Sequence, residues 1–295
     1  MMAASAVQAT PAPAPAPAVR KVRSLERVNP LVYVVAWLLV GVCIGPVAFI
    51  ILGGLRTNSQ ITMDPSGFPT TWEWGNYSSV LNSSLFWQQF TNSAICGIAT
   101  TIGVVILGVM ASFVLARYDF KAQPALYSLF AAGLMFPMTV AITPLYILVK
   151  NLGLMNTLPG IILPQIAFAL PTTIIILVPF LRAIPKELEE AAAIDGASKI
   201  GFFFRMVVPL SLPGVVTVGI LAFVASWNSY MLPLFILNDE AMYTLPLGVQ
   251  SFASQYSVDT ARVLAFTSLS MIPALIFFSL FERRIVGGLT GAVKG

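Results

Sequence analysis

The chain has 295 residues, of which 57% are hydrophobic and only 9% are charged. A soluble domain normally has about 25% charged residues, so this composition excludes an ordinary water-soluble enzyme and indicates a protein that lies in the lipid bilayer. The net charge of +4 could suggest a nucleic-acid partner. However, the basic residues lie at the ends of apolar runs, where they set membrane orientation, and no nucleic-acid partner is predicted.

The chain begins with an Ala/Pro-rich segment that contains the repeat PAPAPAPA. This composition buries little apolar surface, so residues 1–28 are predicted to be a disordered tail. The apolar run that follows, at 31–55, is longer than the hydrophobic core of a signal peptide and lacks a small-residue cleavage signal. We expect it to be an uncleaved first membrane span.

Five further apolar runs are long enough to cross a bilayer, which takes about 20 helical residues. They lie at about 91–116, 127–149, 160–181, 208–236 and 263–282. Prolines within the third and fifth spans should kink those helices or end them early. The sequence therefore predicts an all-α polytopic membrane protein in which residues 29–295 form one domain with six transmembrane helices.

Lys and Arg are distributed unevenly between the two sides of this arrangement. Thirteen of the 16 fall on the side of the N-terminal tail, and the other side keeps only Arg56, Lys150 and Arg262. By the positive-inside rule, both termini are predicted to be cytoplasmic in a multi-pass protein of the cytoplasmic membrane. The longest outer loop, at 56–90, contains aromatic residues suited to the membrane interface: Trp72, Trp74, Tyr77 and Trp87.

Several kinds of chemistry are missing from the sequence. There is no histidine, and Cys43 and Cys96 lie in or beside apolar segments without a ligand cluster, so no metal or haem site is predicted. The two cysteines are interpreted as apolar helix residues, and a disulfide between them stays open. No phosphate-binding loop motif is present. The middles of the six spans have no charged residue, which favours a path for a neutral substrate, or no path, over an ion carrier.

Residues 182–205, on the predicted cytoplasmic side, contain eight charged residues. Pro185 can begin a helix there, and Gly196 can end it in a left-handed conformation. Four apolar residues are expected to face largely away from Glu187 and Glu190: Leu188, Ala191, Ala192 and Ile194. The pattern predicts a short amphipathic helix. A second segment at 198–205 exposes apolar surface, which generally indicates a protein partner or an interfacial position.

Glu190-Ala191-Ala192 is followed by Gly196 and then by Pro209. This spacing resembles the EAA loop of permease subunits of binding-protein-dependent ABC importers, and its place between the fourth and fifth spans fits that family. More of the chain is similar to the carbohydrate-uptake, maltose-type branch. The matching stretches are Ala116-Arg117-Tyr118 with Phe120, Phe136-Pro137 with Pro144-Leu145-Tyr146, the run 152–157, Trp227-Asn228, the run 244–248 and the terminal run 288–295.

The resemblance implies a type I ABC importer permease fold, with a coupling loop at about 182–209 that docks onto a cytoplasmic ATPase. It implies no catalysis and no cofactor in this chain, with ATP and Mg bound by the partner ATPase. The implied partners are two copies of that ATPase, a second permease in a heterodimer, an extracytoplasmic sugar-binding protein and membrane lipid. The implied coupling residues are Glu190, Ala191, Ala192, Asp195, Gly196 and Pro209.

A neutral sugar is usually held by amide and hydroxyl groups together with aromatic rings. Trp227, Asn228, Ser229 and Tyr230 are therefore the predicted substrate-path residues, although many family members have Glu-Phe in place of Ser229-Tyr230. The alternative is that Asn228 and Ser229 bridge helices while Trp227 fills space. Gln165 and Asn92 are weaker candidates, with helix–helix hydrogen bonding as the favoured role. Two other functions stay open at this point: a carrier or channel that works alone, and a membrane scaffold that transports nothing.

Overall fold

The fold is known from a computed structural model that describes residues 30–252 and 258–293, with side chains up to residue 281. The predicted disordered tail, at 1–28, lies outside the described residues. Every regular element in the described ranges is helical, which confirms the all-α prediction. The α-helices of these ranges are α1 (Pro30–Gly53), α2 (Asn58–Met63), α3 (Trp74–Leu81), α4 (Ser84–Arg117), α5 (Gln123–Gly133), α6 (Met138–Asn151), α7 (Pro159–Arg182), α8 (Lys186–Ile194), α9 (Lys199–Phe202), α10 (Val208–Leu210), α11 (Leu212–Trp227), α12 (Met231–Ile236), α13 (Leu245–Gly248) and α14 (Thr260–Val293).

The chain divides into two compact units, residues 1–46 and 47–295. The described part of the first unit is the helical stretch 30–46 of α1, where nearly every large apolar side chain is exposed. An apolar surface of this kind is suited to a lipid environment or to a protein partner within the membrane. The second unit contains all the other described elements.

Among the described residues, four helices are long and apolar enough to cross a membrane: α1, α4, α7 and the Thr260–Phe281 part of α14. Two bent pairs also qualify. Helices α5 and α6 meet at 103°, and the segment Lys199–Leu210 meets α11 at 75°. If each bent pair counts as one span, the described ranges contain up to six spans, which is the predicted number.

Prolines lie at both bends, as predicted. Pro137 is the N-cap of α6 and has an extended backbone, which separates α6 from α5. Pro209 and Pro213 lie in the first turns of α10 and α11, on either side of the break at Ser211. The fifth span also ends early, as predicted, because α11 stops at Trp227 and the following residues leave the helix before α12 begins.

Helices α4, α7 and α11 form the centre of the second unit. Small residues on α4 allow this close packing. A β-carbon added at Gly97 would lie 2.8 Å from the Phe223 ring of α11, and one added at Gly108 would collide with Thr173 of α7. These contacts place the centre of α4 against both other helices.

Polar side chains at the start of α4 hold a segment that follows α12. Asn92 donates from Nδ2 to the carbonyl oxygens of Ala241 (2.8 Å) and Tyr243 (3.0 Å). Ser93 accepts from the backbone N–H of Leu245 at 2.7 Å. Asn92 therefore bonds to the backbone of a loop and not to another membrane helix, which corrects the role that the sequence favoured for it.

Asn156, in the turn between α6 and α7, holds the same segment from another side. Its Oδ1 accepts from the backbone N–H groups of Asn238 (3.0 Å) and Asp239 (3.1 Å), and its own N–H donates to the carbonyl of Ile236 at 2.9 Å. Its backbone is left-handed, with φ 56°, a conformation that Asn tolerates better than most residues.

We expect Asn156→Gly to lower stability by about 1–2 kcal/mol, because glycine keeps the left-handed backbone and removes only the acceptor oxygen. The change should appear as a fall of about 2–4 °C in the melting temperature of the detergent-solubilised protein. Asn156→Ala should lower it further, since alanine adds backbone strain. The matched control is Asn238→Ala, which keeps the backbone donor and should melt like the wild type. An unchanged melting temperature for Asn156→Gly would show that these bonds do not hold the segment.

The loop after α1, which is predicted to lie on the outer side, is ordered around a buried arginine. Arg56 is only 2% exposed, and its guanidinium donates to the carbonyls of Gln60 (2.7 Å), Asp64 and Pro65 (3.3 Å). Three tryptophans of the predicted outer loop are at least half exposed, as an interfacial position requires: Trp72, Trp74 and Trp87. Tyr77 differs from them, because its hydroxyl bonds to the Ile51 carbonyl at 2.8 Å.

Candidate functional site

The predicted coupling loop, which we call the 182–209 segment, folds as two short helical pieces around a turn. Helix α8 has Glu187 and Glu189 in its first turn, where negative charge is favourable. It ends at Gly196, whose φ of 78° is left-handed. The N–H of Ala197 bonds to the Ala192 carbonyl (2.9 Å) and that of Gly196 to the Ala193 carbonyl (3.1 Å), which together form a Schellman motif. The predicted helix and its glycine stop are confirmed.

The apolar face predicted for α8 is split between the interior and the solvent. Leu188 and Ala192 turn inward and contribute to an apolar cluster with the ends of α4 and α7. Its buried members are Phe113, Leu181, Ile184, Ala192, Phe202 and Val207. Ala191 and Ile194 are exposed instead, Ile194 by 86%. The prediction was wrong for Ala191 and Ile194, because helical spacing places each of them four residues after a glutamate, Glu187 or Glu190, and therefore on the same face as that glutamate.

Two residues after the second span hold the 182–209 segment in place. Arg117 donates from Nη2 to the carbonyl of Ile184 at 2.8 Å. The ammonium of Lys199 lies 5.1 Å from the centre of the Tyr118 ring, a cation–π distance. The sequence identified Arg117-Tyr118 only as a matching stretch, and the structure adds its role as the support for this segment.

The segment leaves apolar and acidic groups on the surface. Ile200 is 71% exposed and Phe204 is 65% exposed. Glu190 and Asp195 are exposed as well, and Glu190 forms no ion pair or hydrogen bond among the described residues. We call Glu190, Ala191, Ile194, Ile200 and Phe204 the exposed patch. On α8, exposed Ile194 lies four residues after Glu190 and therefore on the same face. Exposed apolar side chains of this kind generally indicate a surface that another protein covers.

A π-helical turn at Phe203–Val207 joins this segment to the membrane helices. The N–H of Val208 bonds to the carbonyl of Phe203, and Pro209 follows in the first turn of α10. Wide turns of this kind are often found at functional sites. Leu212, three residues after Pro209, begins α11, a central helix of the bundle.

A cavity of about 530 Å³ lies among α4, α6, α7 and α11. Ser229 is the one predicted path residue that contributes to its lining. No Asp, Glu, Lys or Arg is among the lining residues, which are Thr100, Met138, Gln165, Phe168, Ala169, Thr172, Thr173, Ile176, Val218, Leu221, Ala222, Ala225, Ser226 and Ser229.

Gln165 joins three helices at this cavity. Its Oε1 accepts hydrogen bonds from the hydroxyls of Thr100 on α4 (3.0 Å) and Ser226 on α11 (2.6 Å). The helix–helix bonding predicted for Gln165 is thus confirmed, and the same side chain also lines the cavity. Sequence reasoning ranked it below Asn228, because hydrogen-bond partners more than 60 positions away cannot be recognised from the sequence.

The other three predicted path residues have different surroundings. Trp227 packs against Phe90 and Phe223, as in the alternative interpretation. Asn228 donates to the carbonyl of Val224 in its own helix at 2.9 Å, and Tyr230 accepts from Gln250 at 2.8 Å. Trp227 and Asn228 border a separate hollow of about 340 Å³ next to α13 and α14.

In the part of the chain that the structure describes, no three His, Cys, Asp or Glu side chains are grouped as metal ligands. Cys43 is exposed and Cys96 is buried, and both are free thiols. The disulfide that the sequence left open is therefore not formed.

Comparison with known proteins places this architecture in a family. The model of the family described as "Binding-protein-dependent transport system inner membrane component" matches residues 104–287, which is more than half of the chain. The chain belongs to this family. The predicted resemblance to such permeases is confirmed, and the protein is a multi-pass inner-membrane transport component.

Two relatives match this inner membrane component over most of their length. The trehalose transport system permease protein SugB of Mycobacterium tuberculosis is 38% identical over 261 residues, covering 88% of this chain and 95% of SugB. The diacetylchitobiose uptake system permease protein NgcG of Streptomyces coelicolor is 34% identical, covering 84% of this chain and 83% of NgcG.

A solved structure of a bacterial ABC transporter for the acidic polysaccharide alginate contains a similar chain. The TM-score is 0.73 at 20% identity, with 88% of this chain and 98% of that chain covered. This likeness confirms the predicted ABC importer permease fold.

Proposed function

We propose that this inner membrane component is one permease subunit of an ATP-driven importer that carries a sugar across the cytoplasmic membrane. The main support is its identity of 38% over 88% of the chain to a permease named for trehalose transport. The neutral cavity in the bundle agrees with a sugar, because hydroxyl and amide groups without charges suit an uncharged polyol.

The importer would need several other chains. A cytoplasmic ATPase, present in two copies, would bind ATP and Mg, and this chain would bind no cofactor itself. A second permease would complete the path as a heterodimer, and an extracytoplasmic binding protein would deliver the sugar. In this scheme ATP hydrolysis and transport take place in different subunits, and this chain is not an enzyme.

The 182–209 segment would couple the two processes. Glu190, with Ala191 beside it on the exposed patch, would contact the ATPase, while Asp195 and Gly196 shape the turn and Pro209 the bend into α11. Ala192 would hold α8 in place, because it lies on the buried side of that helix and packs against the ends of α4 and α7. Closure of two ATPase subunits would move this segment, and α4, α7 and α11 would move the walls of the cavity with it.

The proposed orientation places the 182–209 segment and both termini in the cytoplasm. In a chain with Cys43 and Cys96 replaced by alanine, a cysteine introduced at exposed Ser66 should react with a membrane-impermeant maleimide in intact cells. A cysteine at exposed Ala197 should react only after the cells are permeabilised. The reverse labelling pattern would overturn the proposed orientation.

The transport function can be tested by measuring uptake of radiolabelled sugars in cells with and without this chain. We expect uptake of at least one sugar to require the chain, the binding protein and ATP. If the purified chain alone carried the sugar in liposomes without ATP, it would be a solitary carrier.

A further inference from the structure

We propose that the start of α5 and the last turn of α7 form a binding site for an anionic phospholipid, whose phosphate is held by Lys121 and Arg182. The proposal takes from the proposed function only its orientation, which places this end of the bundle at the cytoplasmic leaflet. The site shares no residue with the cavity or with the exposed patch, and its ligand is a lipid of defined charge.

Arg182 is a positively charged group without a counter-ion. It is the last residue of α7, it is exposed, and it makes no ion pair or hydrogen bond among the described residues. Its guanidinium carbon lies 5.9 Å from the centre of the Tyr127 ring of α5, which is a cation–π distance. No protein acceptor uses its five N–H groups, so they remain available to a phosphate.

Lys121 brings a second cation to the same end of the bundle. It is exposed in the turn between α4 and α5, and it also makes no ion pair among the described residues. Gln123 follows and donates from Nε2 to the Leu115 carbonyl at 2.7 Å, which fixes this turn to the end of α4. Tyr127, one turn later, packs on an apolar cluster whose buried members lie on α4 and α7. These contacts hold the start of α5 against the end of α7.

Positive charge exceeds negative charge around this turn. Arg117 adds a third cation, whose Nη2 donates to the Ile184 carbonyl and not to a carboxylate. Asp119 is the one acid at positions 117–123, and no ion pair joins it to a cation among the described residues. The excess favours a lipid with a net negative charge over a zwitterionic lipid, whose ammonium group would meet the same cations.

The surface next to the two cations is apolar. Leu126 and Leu129 of α5 are 39% and 65% exposed, and Val114 of α4 is 44% exposed. These residues lie in helices that are apolar enough to cross the membrane, alone or as a bent pair. Cations at the end of a span, beside exposed aliphatic side chains, match a phospholipid, which has its phosphate at the interface and its acyl chains below. A soluble anion would use only the cations.

The test uses the permease, purified with its co-purifying subunits in a mild detergent, and a phosphatidylglycerol with a photoreactive acyl chain. After illumination, mass spectrometry measures how much lipid is attached to α5 as the lipid concentration rises. Lys121→Gln and Arg182→Gln should each raise the half-maximal concentration about fivefold, and the double variant about 25-fold, because each removes one positive charge. Phosphatidylethanolamine with the same acyl chain should require a concentration at least about tenfold higher than phosphatidylglycerol.

Lys150→Gln is the matched control, because Lys150 is also an exposed lysine at the end of a span, in the last turn of α6. It should be labelled like the wild type. Equal labelling by the two lipids, or unchanged labelling of the double variant, would overturn the proposal. Displacement of the lipid by an equimolar amount of inorganic phosphate would assign the site to a soluble anion and would overturn it as well. None of these outcomes depends on sugar uptake, so the proposed function is tested separately.

Discussion

Replacing Glu190 with Lys is expected to reduce ATP-driven uptake by about 100-fold, while the protein still inserts into the membrane. Glu190 is exposed on α8 and has no partner within the described chain, so its loss leaves the packing of the bundle intact. At an interface, truncating one partner of a buried charge pair costs about 2–5 kcal/mol, and a charge reversal adds repulsion. A loss of about 2.7 kcal/mol of binding free energy already weakens the affinity for the ATPase by a factor of about 100.

The measurement compares sugar-stimulated ATP hydrolysis of the purified complex and the amount of ATPase that co-purifies with the permease. The matched control is Glu73→Lys, which makes the same charge reversal at an exposed position between α2 and α3, outside the 182–209 segment. It should leave the recovery of the ATPase unchanged. If Glu190→Lys retained normal ATPase recovery and normal sugar-stimulated hydrolysis, Glu190 would have no part in coupling.

Gly196→Val is expected to lower uptake by at least about tenfold through the backbone alone. Gly196 has φ 78°, and an added β-carbon there would meet no atom within 4 Å, so steric packing is not the cause. A side chain in the left-handed region costs about 1–2 kcal/mol, and more for a β-branched residue. The turn should then open, which displaces the exposed patch relative to α11.

Two milder replacements at the same position separate this strain from the loss of glycine. Gly196→Asn should transport almost normally because Asn enters the left-handed region readily, and Gly196→Ala should fall in between. The order of uptake is therefore expected to be Gly, Asn, Ala, Val. Equal uptake by the Asn and Val variants would mean that the turn is not required for coupling.

Features that depend on local chemistry were predictable from the sequence. The apolar runs fixed the approximate positions of the spans, since a helix needs a minimum length of apolar residues to cross a bilayer. The left-handed stop at Gly196 and the bends near Pro137 and Pro209 follow from the backbone preferences of these two residue types.

Features that depend on distant contacts were not predictable. The burial of Ala192 follows from the ends of α4 and α7, which approach α8 only in the folded chain. Gln165 was ranked below Asn228 because its partners, Thr100 and Ser226, lie on other helices. The exact end of α11 at Trp227 was not predictable either, because the proline that predicted an early end, Pro233, lies within the next helix, α12.

Subunit composition tests the central claim most directly. The chain, solubilised from its native membrane in a mild detergent, is affinity-purified, and every co-purifying protein is identified by mass spectrometry. The proposed function predicts a nucleotide-binding ATPase and a second permease in the complex, with ATP hydrolysis that rises when the loaded sugar-binding protein is added. Recovery of this chain alone, with sugar transport in liposomes that contain no ATP, would contradict it.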